Sequence, residues 1–547
     1  MTVPPPPAAT YRLQFHAGFT FDDARKLIPY LCDLGISHIY ASPYLRARSG
    51  SMHGYDVADP SSLNPELGSN EDFDRMVEEL RRRGMGQLVD VVPNHMGIGD
   101  PGNYRWLDVL ENGPASIYAR FFDINWRPTL AQPQDQLKLV VPILGDQYGK
   151  VLENGELSVE YVGGVFNIAY YEHRFPVAPD TYPLILDPVL SRVEDELGRR
   201  QLQVQELASI LTAIRHLPPR RMLDADAIEE RNREKEIVKR RLDQLHTSFA
   251  AFRTALEDEL KTVNGSNAGG PSTFDRLDAL LDRQSYRLAF WRVAAEEINY
   301  RRFFDITELA AVRMEDPAVF ADTHRLLLRL VGEGKIQGLR IDHPDGLRDP
   351  LRYFRRLQEA CLAALALQDQ SRRFYVVVEK ILETNESLPS DWPVHGTTGY
   401  DFLNALNGLF ATRNNEQFFS TIYFRFLRQG AQRFKDLANS TKKMVMLISL
   451  ASEVNELGYI LRDIASSDRR HRDFTLNSLT FVIREVIAAL GKSIPASDAT
   501  MPHVPPSFFP IRTVNATRLM PGVRIHKFQR CINSSIDSHL CFCINAR

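Results

Sequence analysis

The chain has 547 residues, 44% of them hydrophobic and 25% charged, as expected of a globular protein with two or three domains or of a barrel with insertions. Its 66 basic and 69 acidic residues leave a net charge of -3, which excludes nucleic acid and anionic membrane as the main electrostatic partner. No apolar run approaches the roughly 20 residues needed to cross a bilayer, MTVPPPPAAT lacks signal-peptide character, and only Cys32 and Cys361 precede residue 530, so a cytoplasmic protein without a disulfide framework is expected.

In chain order, YRLQF (Tyr11–Phe15) reads as a short strand. Phe21–Leu34 reads as a helix with Ala24, Leu27, Ile28 and Leu31 on one face and Gly35 as its stop, and HIYASPYL (His38–Leu45) as a second strand. Residues 70–83 make an amphipathic helix begun by Ser69 or Asn70, and GQLVDVVPNH (Gly86–His95) a third strand. This alternation predicts parallel βα units, hence a doubly wound sheet or a (β/α)8 barrel whose first half is residues 1–99.

The alternation then breaks. Residues 100–193 are rich in turns and β-formers, with Asn154-Gly155 as a hairpin signal, and read as a β-rich insertion after the third strand. Residues 194–333 read as a helical insertion before the fourth strand. Ile228, Ile237, Leu242, Leu245, Phe249, Phe252, Leu256 and Leu260 form a stripe there, and NGSNAGGPS (Asn264–Ser272) is a break. Helices resume through LLDRQSYRLAFWRVAAEEINYRRFFDI, and another spans Pro317 to Val331 with Asp316 as its cap. Residues 334–490 return to the barrel pattern, with a strand ending at Asp342, a helix over about 350–368, a strand ending at Glu379, GTTGYDF and further helices.

Chemistry concentrates where these strands end. In GLRIDHPDG (Gly338–Gly346), alternation puts Arg340 and Asp342 on one face, so the guanidinium is expected to hold the carboxylate ionised and oriented, as a carboxylate nucleophile requires. In FYVVVEKI (Phe374–Ile381), Glu379 follows three valines, a setting that raises a carboxyl pKa, while Lys380 should face the other way. DVVPNH brings Asp90, Asn94 and His95 to a third strand end, and HGYDV places His53, Tyr55 and Asp56 in the loop after the second strand.

Taken in order, HGYD, DVVPNH, GLRIDH and VVVEK resemble the signature segments of the α-amylase family of glycoside hydrolases and transglycosylases. That resemblance implies a (β/α)8 barrel with a domain inserted after the third strand. It makes Asp342 the nucleophile, Glu379 the general acid/base and Arg340 the residue that orients the nucleophile. Tyr55, His53, Asp56, His95, His343 and Lys380 would bind substrate, with Asp90 and Asn94 supporting the site from behind.

ATYRLQF, ASPYLRARSGSMHGYDV, WLDVLENGP, ARFFDINW, LLDRQSYRLAFWR, INYRRFFDI and GTTGYDF narrow the likeness to family members that rewrite the reducing-end α-1,4 linkage of maltodextrins as α,α-1,1. This implies intramolecular transglycosylation in trehalose biosynthesis, with no metal or organic cofactor and with a partner enzyme that releases trehalose from the product. Arg301, Arg302 and Asp305 of INYRRFFDI either line the pocket or form a structural ion-pair network.

The family's third carboxylate, an Asp in a His-Asp segment, has no counterpart, since no His-Asp pair occurs in the chain. The likeness fades near Leu490, and residues 491–547 carry scattered Pro, three Cys and no periodicity, the character of a disordered or frameshifted tail on a truncated barrel. The competing readings are an α-amylase-type hydrolase and a catalytically impaired glucan-binding form. A nucleotide-dependent enzyme is disfavoured because no Gly-rich phosphate loop follows a strand.

Overall fold

Helix α1 (Phe21–Asp33) begins where Thr20 and Asp23 cap one another's backbone, and α2 (Asn70–Arg82) begins with the same reciprocal arrangement between Ser69 and Asp72. The apolar faces meet in a buried aromatic cluster: Phe21 lies 5.6 Å from Phe15 and 5.4 Å from Phe73, and Tyr44 lies 5.3 Å from Phe73. The structure, a computed structural model, describes residues 4–490 apart from 129–136, 267–269, 368, 370–371, 383–385, 429, 431–432 and 468. The expectations for the 491–547 tail fall outside the described residues.

Five parallel strands form one sheet: β1 (Thr10–Leu13), β2 (His38–Ala41), β3 (Gly86–Val91), β4 (Gly338–Ile341) and β5 (Tyr375–Val378). They are hydrogen-bonded in the order in which they occur in the chain. A doubly wound sheet reverses direction at a switch point, so the unbroken order is that of a barrel wall. Every residue of β3 is buried, as is every residue of β4. Helices α3 (Pro317–Gly332, capped by Asp316) and α4 (Pro350–Ala364, capped by Asp349) flank β4 in sequence.

The chain divides into two compact units. Among the described residues, one holds those up to 96, 302–306 and those from 311 to 490, and includes the five-stranded sheet; the other holds those within 97–301 and 307–310. The second unit contains a three-stranded antiparallel sheet (Leu157–Val162, Val165–Tyr170, His173–Pro176) and helices Pro183–Leu197, Leu202–Arg215, Ala225–Ser248 and Ala250–Asn264.

Three local expectations are corrected. The hairpin turn is Gly163-Gly164, not Asn154-Gly155: Val162 faces Val165 across two glycines at φ 58° and 84°, whereas Gly155 at φ 70° follows the helix Tyr148–Glu153. The segment YRLAF is a strand, Tyr286–Phe290, paired in parallel with Leu139–Leu144, not helix. The second strand stops at Ala41, and Leu45–Ala47 pairs instead with Val57–Leu63.

Candidate active site

The strand register assembles the site. Arg340 on β4 sits opposite Asp90 on β3 and opposite Val377 on β5. The ladder continues past the strand ends, with Asp342 N–H donating to Val91 O at 2.8 Å and Glu379 N–H to Ile341 O at 2.9 Å. Asp342 and Glu379 are thus matching positions on adjacent parallel strands about 4.8 Å apart, and both side chains leave on the face that carries Arg340 and Asp90. The residue after Asp342 tightens this link: His343, left-handed at φ 45°, donates its backbone N–H to Glu379 Oε2 at 3.0 Å.

Arg340 Nη1 donates to Asp90 Oδ1 at 2.7 Å and to Asp342 Oδ1 at 2.5 Å. Asp90 Oδ2 accepts from Tyr55 Oη at 2.6 Å and from Tyr40 Oη at 2.9 Å, and Arg12 Nη2 donates to Tyr55 Oη at 2.9 Å. One guanidinium therefore serves two carboxyls. Burial pushes Asp342 up to about 7 against the pull of Arg340, with Asp90 and Glu379 adding to the rise. Burial likewise raises Glu379 and Asp90 above the ordinary carboxyl range. This corrects the expectation that Arg340 alone holds Asp342 ionised: the loss of hydration outweighs one shared cation.

The other candidate residues divide into two groups. Tyr55, Asp90, Arg340, Asp342, His343 and Glu379 converge through the bonds just given. Asn94 and His95 are buried and adjacent, with Asn94 Nδ2 3.4 Å from His95 Nδ1. Gly346 packs between these parts, since a Cβ there would lie 2.5 Å from Asn94 Oδ1 and 2.6 Å from His343 Cδ2.

His53 accepts from Tyr55 N–H at 3.0 Å, and its side chain is half exposed. Asp56 accepts from Ser51 Oγ at 2.5 Å, which braces its own loop. Lys380 is buried and donates to Asp345 at 2.8 Å, with Glu386 at 2.9 Å, so its charge is occupied by two other carboxylates.

Three site residues were not singled out from sequence. Tyr40 and Arg12 join through the register, Arg12 opposite Tyr40 and Tyr40 opposite Leu88, two residues before Asp90. Tyr400 of GTTGYDF has its hydroxyl pKa raised by burial and by the nearby Glu379 carboxyl. Arg301 and Arg302 resolve into ion pairs, with Asp123 at 3.0 Å and Glu453 at 2.9 Å respectively. Phe303 beside them stacks on His95 with ring centres 4.2 Å apart and meets His343 edge-on at 5.0 Å.

The family model of the α-amylase catalytic domain matches residues 24–136. A Mycobacterium tuberculosis protein named "Putative maltooligosyl trehalose synthase" is 29% identical over 99% of this chain and 57% of its own length. A maltooligosyltrehalose synthase of known structure from Arthrobacter ramosus is 32% identical, with a TM-score of 0.62 over 88% of this chain and 48% of that one. A glycosyltrehalose synthase from strain DSM5389 is 26% identical, with a TM-score of 0.64 over 97% of this chain and 55% of that one. The chain is similar to these synthases over nearly all its length and spans about half of theirs. With the sheet order, the likeness makes the fold a TIM-barrel-like α/β fold.

Proposed function

We propose that this chain carries the nucleophile and the acid/base of a retaining intramolecular transglycosylase, which converts the reducing-end α-1,4 linkage of maltodextrins to α,α-1,1. Asp342 attacks the anomeric carbon of the penultimate glucose while Glu379 gives its proton to the glycosidic oxygen, so the C–O bond breaks as the Asp342 ester forms. The freed glucose stays in the pocket, turns, and returns its anomeric hydroxyl to the same carbon. Glu379 takes that proton as the Asp342 bond breaks, and no water is consumed.

The observation that carries this reading is the matched position of Asp342 and Glu379 on adjacent strand ends, which sets the two acids side by side on one face as a retaining mechanism needs. Burial raises the pKa of Glu379, the direction a general acid requires, and pushes Asp342 up to about 7. Arg340 aims the nucleophile. Tyr55, His95 and His343 contact the reacting glucose, Asp90 and Asn94 hold these groups, and His53, Asp56 and Lys380 serve substrate from the rim and by bracing loops.

Residues 100–193 and 194–333 are insertions in a barrel that begins in residues 1–99 and resumes in 334–490. The enzyme acts in the cytoplasm on free maltodextrin, and a hydrolase that releases trehalose consumes its product.

Incubation with maltopentaose tests the reading. The expected result is loss of reducing ends without glucose release, abolished in Glu379→Gln. Release of glucose or maltose as the main product would make the protein a glucan hydrolase, and maltodextrin affinity without turnover would make it a binding form.

A further inference from the structure

Two non-glycine residues of the sheet unit with left-handed backbone face one another. Phe304 has φ 53° and His343 has φ 45°, and their rings lie 5.7 Å apart. Such conformations persist in bulky residues only where the surroundings impose them. For His343 the neighbouring strand ends do this, through its N–H bond to Glu379. For Phe304 the restraint lies two residues back, at Arg302.

Arg302 is 2% exposed and meets three groups. Its Nη2 donates to Glu453 Oε1 at 2.9 Å and to the Ser449 carbonyl at 3.1 Å, and its Nη1 donates to the Asp305 carbonyl at 3.2 Å. Ser449 ends the helix Phe434–Ile448 and Glu453 lies in the first turn of the helix Ala451–Ser466, two helices that meet at 84°. The guanidinium thus plugs a sharp helical corner, and the bond to Asp305 closes the backbone around Phe303 and Phe304. Among the described residues, Glu453 Oε2 is buried with no hydrogen-bond partner and Arg302 is the side chain that bonds to this carboxylate. A buried pair of this kind is a costly way to gain stability, and its best-attested use is to fix one arrangement.

What it fixes is the aromatic step over the two site histidines: Phe303 stacked on His95 and edge-on to His343, Phe304 inclined to His343. We infer that Arg302 and Glu453 form a positioning pair that holds Phe303 and Phe304 against His95 and His343 and so governs how far water is kept from the glycosyl intermediate. This rests on the transglycosylase reading above. In the competing reaction a water oxygen bonds to the anomeric carbon as the Asp342 bond breaks, and Glu379 takes the water proton, releasing a reducing maltodextrin and free glucose. A loosened aromatic step admits that water and lets the retained glucose escape.

Two readouts in Glu453→Gln test the inference, with Arg302→Lys alongside. The first needs no turnover: in protein with 13C-labelled histidine, the ring signals of His95 and His343 carry the ring-current shifts of Phe303 and Phe304. They are expected to move toward unstacked values in both variants. The second is the ratio of glucose released to reducing ends lost from maltopentaose, expected to rise about tenfold in Glu453→Gln.

Unchanged histidine signals in a folded Glu453→Gln protein overturn the inference, as does an unchanged product ratio with both activities falling together. If the histidine signals shift while the parent protein never isomerises maltopentaose, the positioning role stands and the transglycosylase reading is the part that fails.

Discussion

Arg340 and Asp90 face each other across β3 and β4, and one nitrogen of that guanidinium reaches both Asp90 at 2.7 Å and Asp342 at 2.5 Å. The nucleophile candidate therefore shares that cation with a second buried acid. Removing the guanidinium leaves two buried carboxyls together without a cation. Arg340→Met is expected to lower unfolding stability by about 3–5 kcal/mol, the usual cost of breaking a buried pair from one side. Denaturant unfolding checks this. A loss below about 1 kcal/mol would mean the three groups are not held together in solution.

The pH dependence follows from burial. The folded-state pKa of Asp342 lies near 7, above its ordinary 3.8. A raised carboxyl contributes most to stability below 3.8, where it is protonated in both states, and that contribution is lost as pH rises through about 7. The wild type is therefore expected to lose stability relative to Asp342→Asn between pH 4 and 7, read by unfolding midpoints of the two proteins. Activity runs the other way, because the nucleophile must be ionised: kcat/KM is expected to rise with pH through about 7. A parallel stability profile for the two proteins would contradict the assignment.

Gly346 tests the support behind the site. A methyl group there would overlap Asn94 Oδ1 and His343 Cδ2, so one or both must shift. Gly346→Ala is expected to cost about 1–3 kcal/mol in stability, as overpacking does, and to reduce maltopentaose turnover more than tenfold. Turnover within about twofold of the parent would show that His343 does not need its present place.

Much of this site is legible in the sequence because strand alternation is strict. Arg340 and Asp342 are two positions apart with only Ile341 between them, so both point one way. Register between strands is what the chain does not spell out, so the pairing of Arg340 with Asp90 appears only in the structure. The ionisation of Asp342 was misread for a related reason: a tripeptide shows the neighbouring guanidinium but not the burial that opposes it. Asn154-Gly155 has the composition of a hairpin turn, yet a glycine at positive φ also ends a helix, and Gly163-Gly164 makes the tighter reversal. Tyr286–Phe290 alternates too briefly to announce a strand whose partner is some 146 residues away.

Trapping the glycosyl ester separates the bonding role proposed for Asp342 from the proton-moving role proposed for Glu379. A maltosyl fluoride carrying a further fluorine on the reacting ring, which slows breakdown of the ester, would be incubated with the protein, followed by peptide mass spectrometry. One glycosyl adduct is expected, on the peptide containing Asp342, and none in Asp342→Asn. An adduct on Glu379, Asp90 or any other carboxylate would contradict the bonding role.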